Sequence, residues 1–129
     1  DITSIEQARA ALAASGADGV MVGRGACGRP WFLAQLAAAL TGRPIPEAPP
    51  AARRAAIAIE HYEGLLTHYG RRLGTTLARK HLGWYLQHLP NGAAWRPRLL
   101  REEDPDRVLA LLPEAFGLAA LALPAAEAA

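Results

Sequence analysis

The sequence predicts a mainly α-helical chain that opens on one short β/α segment. Three observations carry that expectation. Half of the 129 residues are hydrophobic and only 6% are aromatic; repeated Ala and Leu with few β-branched residues favour helix. Apolar residues recur at helical spacing over most of the chain. The exception is Gly19-Val20-Met21-Val22, a compact apolar run before a glycine-rich turn, which reads as a buried parallel strand.

Each element has its own signals. Ser4 suits an N-cap, and Gln7 is placed to reach back to it; Ile5, Ala8, Ala11 and Leu12 then share one face, and Gly16 ends the helix. After the strand comes Gly23-Arg24-Gly25-Ala26. Pro30 suits the first turn of the next helix, which packs through Trp31, Phe32, Leu33, Leu36 and Leu40 and stops at Gly42. Helix, tight link, strand, glycine turn and helix form an α/β repeat. Prolines 44, 46, 49 and 50 make residues 43–50 a linker.

Beyond it the spacing predicts a helix over 51–69, with Ala55, Ala58, Ile59, Tyr62, Leu65, Leu66 and Tyr69 inward and Arg53, Glu60, Glu63 and Thr67 outward. A helix over 72–89 buries Leu73, Leu77, Ala78, His81, Leu82, Trp84, Tyr85 and Leu89. Its opposite face carries Arg72, Thr76, Arg79, Lys80, Gly83 and Gln87. A short helix over 93–100 contains Pro97. Asp104-Pro105 starts a last helix, packed through Val108, Leu109, Leu111, Leu112 and Phe116 and shortened or kinked by Pro113. The expected divisions are 1–42, the linker 43–50, an all-α domain over 51–118, and a disordered alanine-rich tail over 119–129.

Composition narrows the function classes. The single cysteine, Cys27, excludes an internal disulfide and a multi-cysteine zinc site, and fits a cytoplasmic protein. No apolar run reaches the roughly 18 residues of a membrane span, and the amphipathic start does not read as a signal peptide. Beginning at Asp1, the chain reads as a piece of a longer protein; nothing in it sets an oligomeric state. Charge is segregated. Over residues 51–101, Arg53, Arg54, Arg71, Arg72, Arg79, Lys80, Arg96, Arg98 and Arg101 face only Glu60 and Glu63, a net charge of +7. Residues 102–129 are net acidic. A basic middle of this kind points to an anionic polymer or to a solvated helix face.

Glycines after a strand let backbone approach an anion closely, and the following helix start presents N–H groups and positive potential. Arg24 adds a charge-assisted donor for phosphate. A plain tight turn has the same residues. In (β/α)₈ barrels, however, phosphate sites form from the loops after strands 7 and 8. On that reading Asp1-Ile2 is the loop after strand 7 and Val20 to Val22 is strand 8. The fold class is then the last β/α portion of a (β/α)₈ TIM barrel followed by an all-α helical-bundle domain.

The segments Asp1-Ile2-Thr3-Ser4, Ser15 to Ala26 and Gly28-Arg29-Pro30-Trp31, with the later Ala78-Arg79-Lys80-His81-Leu82-Gly83-Trp84-Tyr85-Leu86, resemble the C-terminal part of bacterial tRNA-dihydrouridine synthases of the B-type branch. The resemblance implies a flavin-dependent oxidoreductase. It uses FMN, reduced by NADPH, to reduce the C5–C6 double bond of particular tRNA uridines. It implies that Asp1, Gly23 and Arg24 belong to the FMN-phosphate site. It places the catalytic cysteine, and the lysine and histidine of the flavin and uracil pocket, upstream of this chain, so no catalytic residue is expected here and the fragment is expected to be inactive alone. Cys27, on the loop after strand 8, is not a substitute.

The basic helix also points to RNA. Arg79 and Lys80, flanked by Arg72, Thr76 and Gln87 around the bare Gly83, let a sugar-phosphate backbone approach; Arg71, Arg96, Arg98 and Arg101 extend the track. The candidate tRNA-binding residues are therefore Arg72, Arg79, Lys80, Gln87, Arg96 and Arg98. His61, His68, His81 and His88 read as packing or surface histidines rather than metal ligands. Trp31 and Trp84 read as core, and Trp95, beside Arg96 and Arg98, is open to either use. Two alternatives stand beside this reading: another FMN-dependent TIM-barrel oxidoreductase acting on a small molecule, and a non-enzymatic helical binding module.

Overall fold

The structure, a computed structural model, describes residues 1–119; the expected tail over 119–129 lies, apart from Ala119, outside the described residues. The described chain holds six α-helices and one 3₁₀ turn, and it divides into two compact units, Asp1–Pro49 and the residues from Pro50 onward.

In the first unit, helix α1 (Ile5–Ser15) starts at Ser4, whose side chain accepts from the Gln7 N–H at 3.2 Å. The reciprocal arm differs from expectation: Gln7 Oε1 accepts from the N–H and hydroxyl of Thr3, at 2.7 and 2.9 Å. Gly16 caps the end at φ 66°, a left-handed conformation that glycine takes without steric cost. The expected strand is not formed: no residue from Gly19 to Val22 is in a strand, and neither is any other described residue. A strand exists through the ladder it shares with a neighbour, and none is present among the described residues. The two-residue alternation is nonetheless visible. Val20 and Val22 pack toward the small core of Ala8, Phe32 and Leu36, while Met21 between them is 92% exposed. Helix α2 (Phe32–Leu40) ends through Thr41, with Gly42 at φ 69° and the Arg43 N–H donating to Ala38 O at 2.9 Å, a Schellman closure. Leu33, expected inward, is 49% exposed.

In the second unit, α3 (Ala51–Tyr69) and α4 (Arg71–Leu86) are joined by Gly70 alone, at φ 79°. Helices α5 (Gly92–Leu100) and α6 (Pro105–Ala115) complete the unit. One core holds Tyr62 of α3, Leu82, Tyr85 and Leu86 of α4, Leu99 of α5, and Val108 and Leu112 of α6. Asp104 caps α6 by accepting from the Asp106 N–H at 3.0 Å. Pro113 shortens α6, which ends at Ala115.

The buried stripe of α4 differs from the expected one. Leu73 and Leu77 are 51% and 38% exposed, whereas Gly74, Thr75, Ala78 and Gly83 are buried. The reason is close backbone approach. A Cβ on Gly74 would lie 2.7 Å from Leu65 O and 2.9 Å from Leu66 Cα of α3. Similarly, a Cβ on Gly92 would lie 1.7 Å from Leu86 O. Small residues line these contacts, so the helix is turned away from the face that its large apolar residues suggest. The helix also ends at Leu86 rather than Leu89, because Pro90-Asn91-Gly92 must turn tightly against its last carbonyl.

His61 of α3 and His81 of α4 meet with ring centroids 4.6 Å apart, edge to face. His61 Nδ1 and the Tyr85 hydroxyl are 3.2 Å apart, and His81 lies edge-on to Trp84 at 5.2 Å. Burial lowers the pKa of both imidazoles, and for His81 the neighbouring His61 and Lys80 add to the effect. Among the described residues no group of three His, Cys, Asp or Glu converges as a metal site.

Two outcomes follow for urea denaturation. Gly74→Ala should destabilise the second unit by about 1–3 kcal/mol through backbone overpacking, whereas Gly64→Ala, with nothing within 4 Å of its added Cβ, should stabilise it by about 0.5–1 kcal/mol. Protons are taken up at His61 and His81 on unfolding, because their folded pKa values lie below the usual 6.5. The stability these sites contribute should therefore be complete above pH 6.5 and lost as pH falls below it toward the depressed folded values. The His61→Phe/His81→Phe variant should show a shallower loss of midpoint between pH 7.5 and 5.5; an unchanged pH slope would contradict the assignment.

Candidate functional site

Two concentrations of functional side chains stand out, one in each unit. In the first, Val22 leads into Gly23 and the 3₁₀ turn Arg24–Ala26. Arg24 Nη2 lies 2.6 Å from Asp1 Oδ2, with the two side chains 77% and 53% exposed. The structure thus brings together the three residues Asp1, Gly23 and Arg24 along one exposed turn. The two glycines have different roles. No atom lies within 4 Å of a Cβ built on Gly23, whereas one built on Gly25 would fall 2.0 Å from Ile2 O. Gly25 lets the turn close on the chain's own backbone, and Gly23 opens onto free space.

Arg29 holds this turn, and the sequence reading gave it no role. Its Nε donates to Gly25 O at 2.8 Å, its Nη2 donates to Thr3 O, and its guanidinium lies 4.3 Å from the Phe32 ring centroid. The signal available in the sequence was Gly28-Arg29-Pro30: Gly28 takes φ 75°, which turns Arg29 back over the loop. A largely exposed guanidinium beside an open glycine fits an anionic phosphate group. Asp1 orients Arg24 and offsets part of its charge.

In the second unit, the expected polar face of α4 divides. Arg72, Thr76 and Arg79 line an open cleft of about 570 Å³ together with Arg71, Thr75, Glu103 and Pro105. Positions 72, 75, 76 and 79 form one helical row. The Nε of Arg79 is out of solvent without a hydrogen-bond partner. Thr75 and Thr76 donate their hydroxyls to Arg71 O and Arg72 O, at 2.7 and 3.1 Å. Arg71 is a tether: its Nη2 lies 3.0 Å from Asp106 Oδ2 and 3.9 Å from Asp104 Oδ1. These contacts, first the hydrogen bond to Asp106, raise its pKa further. Its charge is matched, so it shapes the cleft more than it charges it.

Gln87 and Arg96 line a second concavity of about 330 Å³. Gly83, expected as bare exposed backbone, is buried: Arg96 Nη1 reaches Gly83 O at 3.4 Å and occupies the space beside it. Lys80 lies 5.3 Å from the Trp84 ring centroid, and Arg98 lies 4.0 Å from that of Trp95. Arg72, Arg79, Lys80 and Arg98 make no ion pair with a described residue, in contrast to Arg53, Arg71 and Arg107.

The chain matches the family model described as dihydrouridine synthase (Dus) over residues 1–121. It is 51% identical over 116 residues to a protein of Rhodobacter capsulatus named probable tRNA-dihydrouridine synthase, covering 90% of this chain and 35% of that protein. It is 46% identical over 105 residues to a Rickettsia conorii protein of the same name, covering 81% and 32% of the two chains. It is 44% identical over 105 residues to the Pseudomonas putida protein named tRNA-dihydrouridine synthase B, covering 81% and 31%. The chain therefore spans about a third of the length of these relatives.

The contrast between Arg29 and Arg24 is testable. Arg29→Ala should destabilise the first unit by about 1–3 kcal/mol, because two backbone carbonyls lose a charged donor. Arg24→Ala, at an exposed position, should change stability by less than about 1 kcal/mol. Amide exchange over residues 23–32 checks both: faster exchange in the first variant and unchanged protection in the second.

Proposed function

Because the chain belongs to the dihydrouridine synthase family, we propose that it is the C-terminal portion of a bacterial, cytoplasmic tRNA-dihydrouridine synthase of the B type. On this reading the first unit is the last β/α portion of a TIM barrel. The stretch 19–22 pairs as a strand only when the preceding strands are present. The second unit is a helical-bundle domain that binds tRNA. The complete protein reduces the C5–C6 double bond of specific tRNA uridines with hydride derived from NADPH. FMN, when bound, supplies that hydride.

The chain's own residues serve binding rather than chemistry. Gly23 leaves room for the flavin phosphate, Arg24 donates to it, Asp1 orients Arg24, and Arg29 keeps the turn in shape from behind. Arg72 and Arg79 in the cleft, with Lys80, Gln87 and Arg98 elsewhere on the same unit, bind the tRNA backbone, while Arg96 is turned to Gly83 O. Phosphate contacts fix the position of the nucleic acid without reading its sequence. On this reading the catalytic cysteine lies upstream of this chain, so the isolated chain is inactive.

The observation that carries this reading is the unmatched charge of the second unit. No Asp or Glu occurs between Glu63 and Glu102, while seven Lys or Arg do, and Arg72 and Arg79 line one cleft, with Glu103 at its edge, without an ion pair to a described residue. A solvated face needs no such convergence. Among the described residues no helix is long and apolar enough to cross a membrane.

The test is tRNA binding across a salt series. The slope of log affinity against log salt should be steep in the unmodified chain. In Arg72→Ala/Arg79→Ala it should fall by about 1.4–1.8, two phosphate contacts' worth. Binding absent at low salt, or a slope unchanged in the variant, would reject the cleft as the tRNA site. Dihydrouridine formation by the 129-residue chain alone would overturn its assignment as a non-catalytic portion.

A further inference from the structure

On α5 the Arg98 guanidinium lies over the Trp95 ring. Trp95 is half-buried and packs against the core of the second unit. Arg98, three residues on, sets its guanidinium 4.0 Å from the Trp95 ring centroid. Arg98 is exposed and has no acidic partner among the described residues. Arg101, a further turn on, is also exposed. The neighbouring Arg96 is used differently, with its guanidinium turned to Gly83 O. Lys80 over Trp84, at 5.3 Å, is a point charge over a ring and offers no second plane.

We propose that the Trp95–Arg98 stack is a platform for an unpaired RNA base, a contact separate from the arginine cleft of α4; this rests on the tRNA-binding reading above. A guanidinium is planar and weakly hydrated on its faces, and it stacks on aromatic rings in a way that an ammonium cannot. Here the guanidinium is held over Trp95, which itself packs against the core, so its position is restricted before RNA arrives. Arg98 is exposed and without an acidic partner among the described residues, so its N–H groups can donate to the ribose or phosphate of the same nucleotide. Unstacked bases bind such planes through their π faces with little dependence on sequence. The cleft and the platform therefore differ in kind. Arg72 and Arg79 act through charge, and Arg98 acts through shape as well as charge.

Replacing Arg98 by Lys keeps the charge and removes the plane. Binding of tRNA and of inorganic polyphosphate, measured for the unmodified protein, Arg98→Lys, Arg98→Ala and Arg72→Ala/Arg79→Ala, separates the two contributions. Thermal midpoints and near-ultraviolet circular dichroism check that Trp95 stays packed. The expected result is that Arg98→Lys weakens tRNA binding about tenfold, with an unchanged salt slope, and leaves polyphosphate binding as it was. Arg98→Ala should weaken tRNA binding at least as much. The platform is overturned if Arg98→Lys binds tRNA as the unmodified protein does, or if it loses tRNA and polyphosphate equally, since either result makes Arg98 a point charge. It falls alone when the Arg72→Ala/Arg79→Ala variant loses tRNA affinity and the Arg98 variants do not. It falls together with the tRNA reading when the unmodified protein binds no tRNA at low salt.

Discussion

The contact on which the second unit depends is the backbone approach of α4 to α3 at Gly74. Gly70 at φ 79° reverses the chain in one residue, and Gly74 then brings α4 so close that even a Cβ would meet Leu65 O at 2.7 Å. Two helices this near bury small residues along their seam. The larger apolar groups Leu73 and Leu77 are displaced outward. The same rotation brings His81 against His61, and it turns Arg72, Thr76 and Arg79 toward the link between α5 and α6, where Glu103 and Pro105 complete the cleft. The position of the basic row is thus a consequence of a steric constraint on the opposite side of the helix.

The arginines divide by what they touch. Arg29 donates to two backbone carbonyls and stacks on Phe32, and Arg71 bridges α4 to Asp104 and Asp106 at the start of α6. Arg96 covers Gly83. Each of these fixes local geometry, because a guanidinium offers five donors in a rigid fork. Arg24, Arg72, Arg79 and Arg98 lie at exposed or cleft positions, and among the described residues Arg24 is held by Asp1 alone. A net charge of +7 over residues 51–101 does not distinguish these classes. The contacts do, and they reduce the cations available to a ligand to a smaller set.

Much of the architecture is legible in the chain. The caps at Ser4, Gly16, Gly70 and Asp104 act through their nearest neighbours along the backbone, and the helix over 51–69 has the bounds its periodicity implies. The strand over 19–22 was not realised, since no neighbouring strand is present among the described residues to share a ladder with it, although the alternation of Val20, Met21 and Val22 persists. In the candidate sites, Gly23 and Arg24 were readable as a turn able to receive an anion. Arg29 was not, because its partners Thr3 and Gly25 are brought to it by folding.

The sequence by itself determined the helical content, the positions of the breaks, the segregation of charge and the family, because these are properties of composition, local spacing and residue identity. Tertiary structure decided which face of α4 is buried, that Gly83 is covered by Arg96, and that Arg71 is matched by Asp106. Each of these depends on the distance between residues on different helices or on which side of a helix a neighbour packs. Such distances are set by the closest backbone contacts, at Gly74 and Gly92, and small residues leave little trace in a pattern of hydrophobicity.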